Sequence, residues 1–277
     1  MVGKKDKPEG EWARFWLRGG TQHLHAHYVT HAFTPHTHEE YVFAVVGAGA
    51  EAFRYRGAVH RISPGFVGLV NPGEVHTGYA DAAGGWLYRT LYPSVEVIVR
   101  AAQSFSGDAR APYFSQVVVY DPHLAALVRC YHRRSEFESA LAVEEALLEL
   151  TAYAVTRYAD GRFSAVREGR EPEAVQQVRG FLEAHPQDDV TLGELGVLTG
   201  LSPYALLRAF RRHTGLTPHG YRVQRRVEVA KARLLKGEAV AVVATDTGFY
   251  DQSHFGKHFK RIVGVTPRVF AKGAISS

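Results

Sequence analysis

The chain has 277 residues, 45% of them apolar, and a net charge of +5, which is enough material to bury more than one core. Its one cysteine, Cys130, excludes an internal disulfide and a thiolate zinc cluster, and no run approaches the ~18 apolar residues of a membrane span. The charged start MVGKKDKPEGEWARFW has no apolar stretch behind it, so the expected compartment is the reducing cytoplasm.

From about Thr21 to Tyr92 short apolar runs alternate with Gly and Pro: YVFAVVGAG, EAFRYRGAVHRI and FVGLVNPGEVHTG. Glu51, Phe53 and Tyr55 alternate with Ala52, Arg54 and Arg56 at the strand period of two. The spacing predicts an antiparallel barrel or sandwich over residues 1–120. Within it, His23 to Glu40 holds six histidines and two glutamates. His23, His25 and His27 share one strand face, opposite Leu24, Ala26 and Tyr28, and that face lines the barrel or meets solvent.

From Asp121 the texture becomes helical. Leu124, Leu127, Val128 and Tyr131, then Val143, Leu147, Leu150, Ala154 and Tyr158, mark two amphipathic helices over 121–159. Such a pair suits a homodimer surface or packing against its own domain. Asp160 to Pro172, DGRFSAVREGREP, is polar and aperiodic and reads as a linker, here taken as 160–172.

Charge divides at the same place. Residues 1–171 carry 18 Lys and Arg against 19 Asp and Glu, whereas residues 172–277 carry 15 against 9. A basic surplus confined to one end points to nucleic acid.

That end, 173–277, contains an internal repeat. TGLSPYALLRAFRRHTGLTP (Thr199–Pro218) and TGFYDQSHFGKHFKRIVGVTP (Thr247–Pro267) share Thr-Gly, a basic residue (Arg208, Lys257), Phe (Phe210, Phe259) and a final Gly-apolar-Thr-Pro. Each copy has the form of a helix-turn-helix. In the first, a short helix with Leu192, Leu195 and Leu198 stops near Gly200, and Ser202 caps a second helix with Pro203 at its first position. In the second, Val240 and Val243 precede a turn at Gly248, and Asp251 caps a helix with Phe255 and Phe259 in the core. A single helix carrying Val223, Val227, Ala230 and Leu234 joins the two copies.

Residues 172–277 resemble the DNA-binding domain of the AraC/XylS-type (arabinose-regulator) transcription factors, most specifically in DTGFYDQSHFGKHFKRIVGVTPRVF. The resemblance implies that Tyr204, Leu207, Arg208 and Arg211 read DNA from the first recognition helix, and Gln252, Ser253, His254 and Lys257 from the second. Leu207 departs from the polar reader that many relatives carry there. The resemblance also implies a cupin-like sensor at the N-terminus, with PHTHEEYVFAVVGAG and PGEVHTG similar to its two motifs. His36, His38 and His76 then fall on the histidine positions of a metal cupin. The glutamate position holds Val42 or Phe43, with Glu39 and Glu40 out of register.

The reading is an α+β chain of two domains: an antiparallel cupin-like β-barrel with a helical pair, then an all-α double helix-turn-helix. It is a cytoplasmic, ligand-responsive regulator that binds double-stranded DNA and a small polar effector, and not an enzyme. The pocket would use Tyr41, Phe43, Phe53 and Tyr55 as apolar wall and His25, His36, His38 and His76 as polar groups. No cofactor is expected; a divalent metal, if bound, would take His36, His38 and His76. The rival is a cupin metalloenzyme of dioxygenase or isomerase type with an accessory DNA-binding tail, which requires stoichiometric metal. A third reading makes the barrel a dimerisation scaffold alone.

Overall fold

The computed structural model describes residues 10–161, 163, 171–263 and 266–275; most of the expected linker, and Gly264 and Val265 of the repeat, lie outside them. The chain divides into two compact units, one of Met1–Glu136 with Ala146–Ala165, the other of Phe137–Glu145 with Val166–Ser277.

The first unit opens with strands β1 (Trp12–Arg18), β2 (Thr21–Tyr28), β3 (Ala32–His36), β4 (Val42–Gly49), β5 (Glu51–Tyr55), β6 (Ala58–Ile62), β7 (Phe66–Val70), β8 (His76–Ala80) and β9 (Trp86–Pro93). Helix α1 (Val95–Ser106), strand β10 (Val118–Tyr120) and helices α2 (Pro122–Phe137) and α3 (Ala140–Tyr158) follow. The expected barrel takes the form of two antiparallel sheets, a six-stranded one in the order β1-β2-β9-β4-β7-β10 and a four-stranded one in the order β3-β8-β5-β6. Their facing side chains form one core: Ala26, Val42, Ala44, Val46, Trp86 and Tyr88 from the larger sheet meet Phe53, Tyr55 and Ile62 from the smaller. The predicted alternation in β5 is observed for Glu51, Phe53 and Tyr55, buried, against Arg54 and Arg56, exposed, but Ala52 on the second face is buried as well.

Helix α1 falls where the sequence reading expected only barrel. Its signals are local all the same: the Ser94 hydroxyl accepts from the Val97 amide, Ile98, Ala101, Ala102 and Phe105 are buried at helical spacing, and Gly107 ends the helix at φ 72°. In α2 the predicted residues Leu124, Val128 and Tyr131 are buried. Helix α3 is buried on nearly every side, including Leu141, Ala142, Leu148, Ala152 and Val155 outside the predicted stripe.

The second unit contains α4 (Glu171–Ala184), α5 (Leu192–Thr199), α6 (Pro203–Thr214), α7 (Pro218–Leu235), α8 (Val240–Asp246), α9 (Gln252–Val263) and α10 (Pro267–Ile275). Every expected helix of the repeat is present. Thr191 and Glu194 form a reciprocal capping box on α5, and Gly200 turns the chain at φ 69°. Leu192 and Leu195 enter the core as predicted, but Leu198 is 49% exposed, so the apolar face of α5 is narrower than its leucines suggest. Ser202 caps α6 with Pro203 in its first turn, and Thr217 caps α7 in the same way. Val223, Val227, Ala230 and Leu234 of α7 pack with Val243, Phe249, Phe255 and Phe259, so the joining helix is the core of the second hairpin as well as a spacer.

Two arginines inside this core were not anticipated. Arg222 and Arg226 of α7 are buried. Arg226 donates to the Pro186 and Gly248 carbonyls at 2.5 Å and to Gln187 O at 3.1 Å, and Arg222 donates to Asp188 O at 2.7 Å. The two guanidinium groups tie the loop before α5 and the turn before α9 to α7. Burial, reinforced by the neighbouring charge of Arg222, lowers the Arg226 pKa to about 10.

Candidate functional site

Between the two sheets lies a cavity of about 70 Å³. Strand β4 supplies Val42 and Ala44, β5 Glu51 and Phe53, β7 Gly68 and Val70, and β9 Tyr88, Thr90 and Tyr92; Phe33, His36, His38, Ile62, His76 and Thr77 complete the lining. Of the expected pocket residues, His36, His38, His76 and Phe53 are here and the other four are not. Tyr41 and Phe43 lie on the opposite face of their strand, against Phe114, where the Tyr41 hydroxyl donates to Pro112 O at 2.6 Å. Tyr55, at the end of β5, is buried in the core outside the cavity lining and donates to Glu74. His25 packs edge-on against Trp12 and near His132, on the outer side of β2, while Leu24, Ala26 and Tyr28 face the core.

The three cupin-position histidines converge. One ring nitrogen from each lies within 4.8 Å of the others, and the Nε2 atoms of His36 and His38 are 3.1 Å apart. Nδ1 of His36 stands 2.7 Å from Thr34 O and Nδ1 of His76 3.0 Å from Glu74 O. Those carbonyls can only accept, so each Nδ1 carries the proton; the His36 Nε2 lone pair then meets His38 Nε2, and that of His76 is left for the cavity. Burial, with the neighbouring His76 and His36 charges, lowers the His38 pKa to about 4, and burial likewise lowers that of His76. Both are neutral at physiological pH. Among the described residues no carboxylate joins this cluster: Glu39 is exposed, and Glu40 accepts from Gln22 Nε2 at 2.7 Å. Three imidazoles with an open fourth position are nonetheless a sufficient ligand set for a divalent ion.

Glu51, read from the sequence only as one beat of a strand, is the feature the prediction missed. Burial raises its pKa to about 8. Its Oε2 and the Tyr88 hydroxyl are buried with no hydrogen-bond partner, and both residues line the cavity. Buried polar atoms are seldom left without a partner, and each orphan costs roughly 1–3 kcal/mol.

In the second unit α6 exposes Arg208, Arg211 and Arg212, with the Arg208 guanidinium 5.7 Å from the part-exposed Tyr204 ring. Leu207 is only 4% exposed and so does not belong to that face; an apolar side chain there is better placed inside than against base edges. On α9 the Asp251 carboxylate accepts from the His254 amide at 2.6 Å, as the predicted cap requires, and Gln252, Ser253 and Lys257 are exposed. His254 is turned instead toward Glu138, with its Nε2 3.3 Å from the carboxylate, and is not free to read a base in this conformation.

Residues 18–151 match the AraC-like ligand binding domain and residues 197–273 a helix-turn-helix domain. The chain is 34% identical to an HTH-type transcriptional regulator, YbfI of Bacillus subtilis, over 80% of its own length and 81% of that protein's. It is 23% identical to the transcriptional activator RhaS of Pectobacterium carotovorum over 88% and 90% of the two chains. Among solved structures, ToxT of Vibrio cholerae aligns over 92% of this chain and 98% of its own, with 10% identity and a TM-score of 0.39. A ligand-binding domain followed by paired helix-turn-helix units, in a chain matched over four-fifths of its length by such a regulator, makes this protein a member of the AraC family of DNA-binding transcriptional regulators.

Proposed function

We propose that this regulator responds to a compact polar metabolite held between the two sheets, one end meeting Glu51 and Tyr88 and the other His36, His38 and His76. The observation that carries this reading is the pair of orphaned polar atoms, Glu51 Oε2 and Tyr88 OH, in the cavity wall. A hydroxyl or ammonium group would supply the missing donor, and neutral His38 and His76 both donate and accept at the other end. At about 70 Å³ the cavity is smaller than the ~150 Å³ that takes benzene, so the effector is a molecule of few atoms. The site binds its ligand without transforming it, and the chain acts in the cytoplasm as a homodimer. A thermal-shift screen of small hydroxy and amino compounds on the full chain tests the pocket. At least one should raise the melting temperature of the parent and not of a His36→Ala/His38→Ala variant. A hit that stabilises both equally removes the histidines from the pocket.

A second reading rests on the convergence of the three rings. Here His36, His38 and His76 hold a divalent ion, which would supply a Lewis-acidic anchor for an effector oxygen. Loss of effector response after chelation, restored by added metal, selects it.

DNA reading is assigned to Arg208 and Arg211 on α6 and to Gln252, Ser253 and Lys257 on α9, whose exposed side chains suit base edges and phosphates. Gln252→Ala or Lys257→Ala should cost about 1–3 kcal/mol on the preferred site and relax preference at particular base pairs. Selection from a randomised duplex library measures this; unchanged site rankings in both variants would move the reading face elsewhere.

A further inference from the structure

His254 and His258 stand one helical turn apart on α9, on the face turned away from Gln252, Ser253 and Lys257. They meet Glu138, which lies in the Phe137–Glu145 segment and belongs to the same compact unit as α9. Glu138 Oε2 is 3.3 Å from His254 Nε2, Glu138 Oε1 is 3.3 Å from His258 Nε2, and the two ring nitrogens are 2.9 Å apart. His219, near the start of α7, brings its Nε2 to 3.6 Å from Glu138 Oε2.

Two nitrogens at hydrogen-bond distance cannot both carry a proton between them, so at least one lone pair points into the space they share with the carboxylate. Around an ion with bonds of 2.0–2.1 Å, the edge of a tetrahedron is about 3.3 Å. One ligand atom from each of the three residues lies within 4.8 Å of the others, and the closest separations, 2.9 and 3.3 Å, approach that edge. Burial would raise the Glu138 pKa, but the imidazoles packed against it hold it well below the ordinary carboxylate range. We propose that Glu138, His254 and His258 bind a divalent transition-metal ion of the zinc type, with the fourth position open to water or His219. Two imidazoles and one carboxylate favour zinc, cobalt or nickel over the hard, all-oxygen ions.

Ligation through Nε2 leaves the ring proton on Nδ1. The Arg261 guanidinium, 3.0 Å from His258 Nδ1, must then swing aside, and its side chain is exposed and able to do so. The ion fastens the second recognition helix to the Phe137–Glu145 segment from behind its reading face, so metal content sets how firmly that face is presented.

The test uses the metal-free full chain carrying His36→Ala and His38→Ala, which removes the sensor trio as a ligand set, titrated with Co²⁺ alone. One equivalent should bind with the visible spectrum of a four-coordinate ion and be displaced by Zn²⁺. Adding Glu138→Gln or His254→Gln, both at part-exposed positions, should weaken Co²⁺ at least about tenfold while the helical circular dichroism is unchanged; buried His258 is left intact. Absence of stoichiometric Co²⁺ in this background, or binding that neither added substitution alters, overturns the site and leaves a hydrogen-bond network among the same atoms.

Discussion

Arg226→Met should destabilise the DNA-binding unit by on the order of 3–5 kcal/mol and abolish DNA binding at growth temperature. The side chain is buried and donates to four carbonyls, those of Pro186, Gln187, Asp188 and Gly248. Methionine fills much of the volume but leaves the Pro186, Gln187 and Gly248 acceptors inside the protein without donors, at roughly 1–3 kcal/mol each before relaxation. Lysine would not restore them, because one compact ammonium cannot address the several carbonyls that a planar guanidinium fork reaches. The same node can be broken from the other side. Gly248 sits at φ 84°, and a Cβ there would lie 2.8 Å from Arg226 Cζ, so Gly248→Ala combines backbone strain with a clash and should act in the same direction. Chemical denaturation of the full chain followed by helical signal measures both, with Arg225→Met, on a part-exposed residue paired to Glu228, as a control expected within about 0.5 kcal/mol of the parent. An Arg226→Met protein as stable as that control would remove the arginine from the architecture.

Glu51→Leu should have the opposite pairing of effects, a more stable sensor that no longer responds to its effector. Replacing a buried, unpartnered polar group with an apolar one of similar volume removes an orphan cost of roughly 1–3 kcal/mol. The same change deletes the group that the effector is proposed to satisfy. The pH dependence supplies a second readout through Glu51→Gln. The folded-state pKa is about 8 against an ordinary 4.5, so between those values the native state binds more protons than the unfolded state. Stability from this group is therefore fully present below about pH 4.5 and is lost as pH rises to 8, by roughly 4–5 kcal/mol. Across pH 5 to 8 the parent should lose melting temperature more steeply than Glu51→Gln. Parallel curves would mean that Glu51 is ionised and solvated in the folded protein, and the proposed effector contact would go with it.

Much of the fold was legible because its signals are local. Ser202 and Pro203 at the start of α6, Gly200 and Gly248 at the turns, and the repeated Thr-Pro are backbone preferences that act within a few residues. The alternation of β5 and the convergence of His36, His38 and His76 followed from strand period and motif position. Helix α1 was legible too, in Ser94 and the spacing of Ile98, Ala102 and Phe105, but a uniform expectation of strands over residues 1–120 covered it.

What escaped depends on what each side chain meets. Strand β4 is buried on both faces, so hydrophobicity could not say that Val42 and Ala44, not Tyr41 and Phe43, line the cavity. The histidines of β2 took the outer face because Trp16 and His132 stack there. Leu198 and Leu207 exchanged the expected environments of a core and a surface residue, since a helical stripe gives a direction and not the extent of its cover. Glu51, Arg226 and Glu138 look in the sequence like ordinary surface charges. Whether a charged group is solvated, paired or orphaned depends on atoms brought in from distant parts of the chain, such as Glu138 meeting His254 across more than a hundred residues. The local chemistry of the sequence determined the elements and the kind of protein they build; the dielectric surroundings and partners of its titratable groups, and with them the candidate sites, were decided only when tertiary packing closed around them.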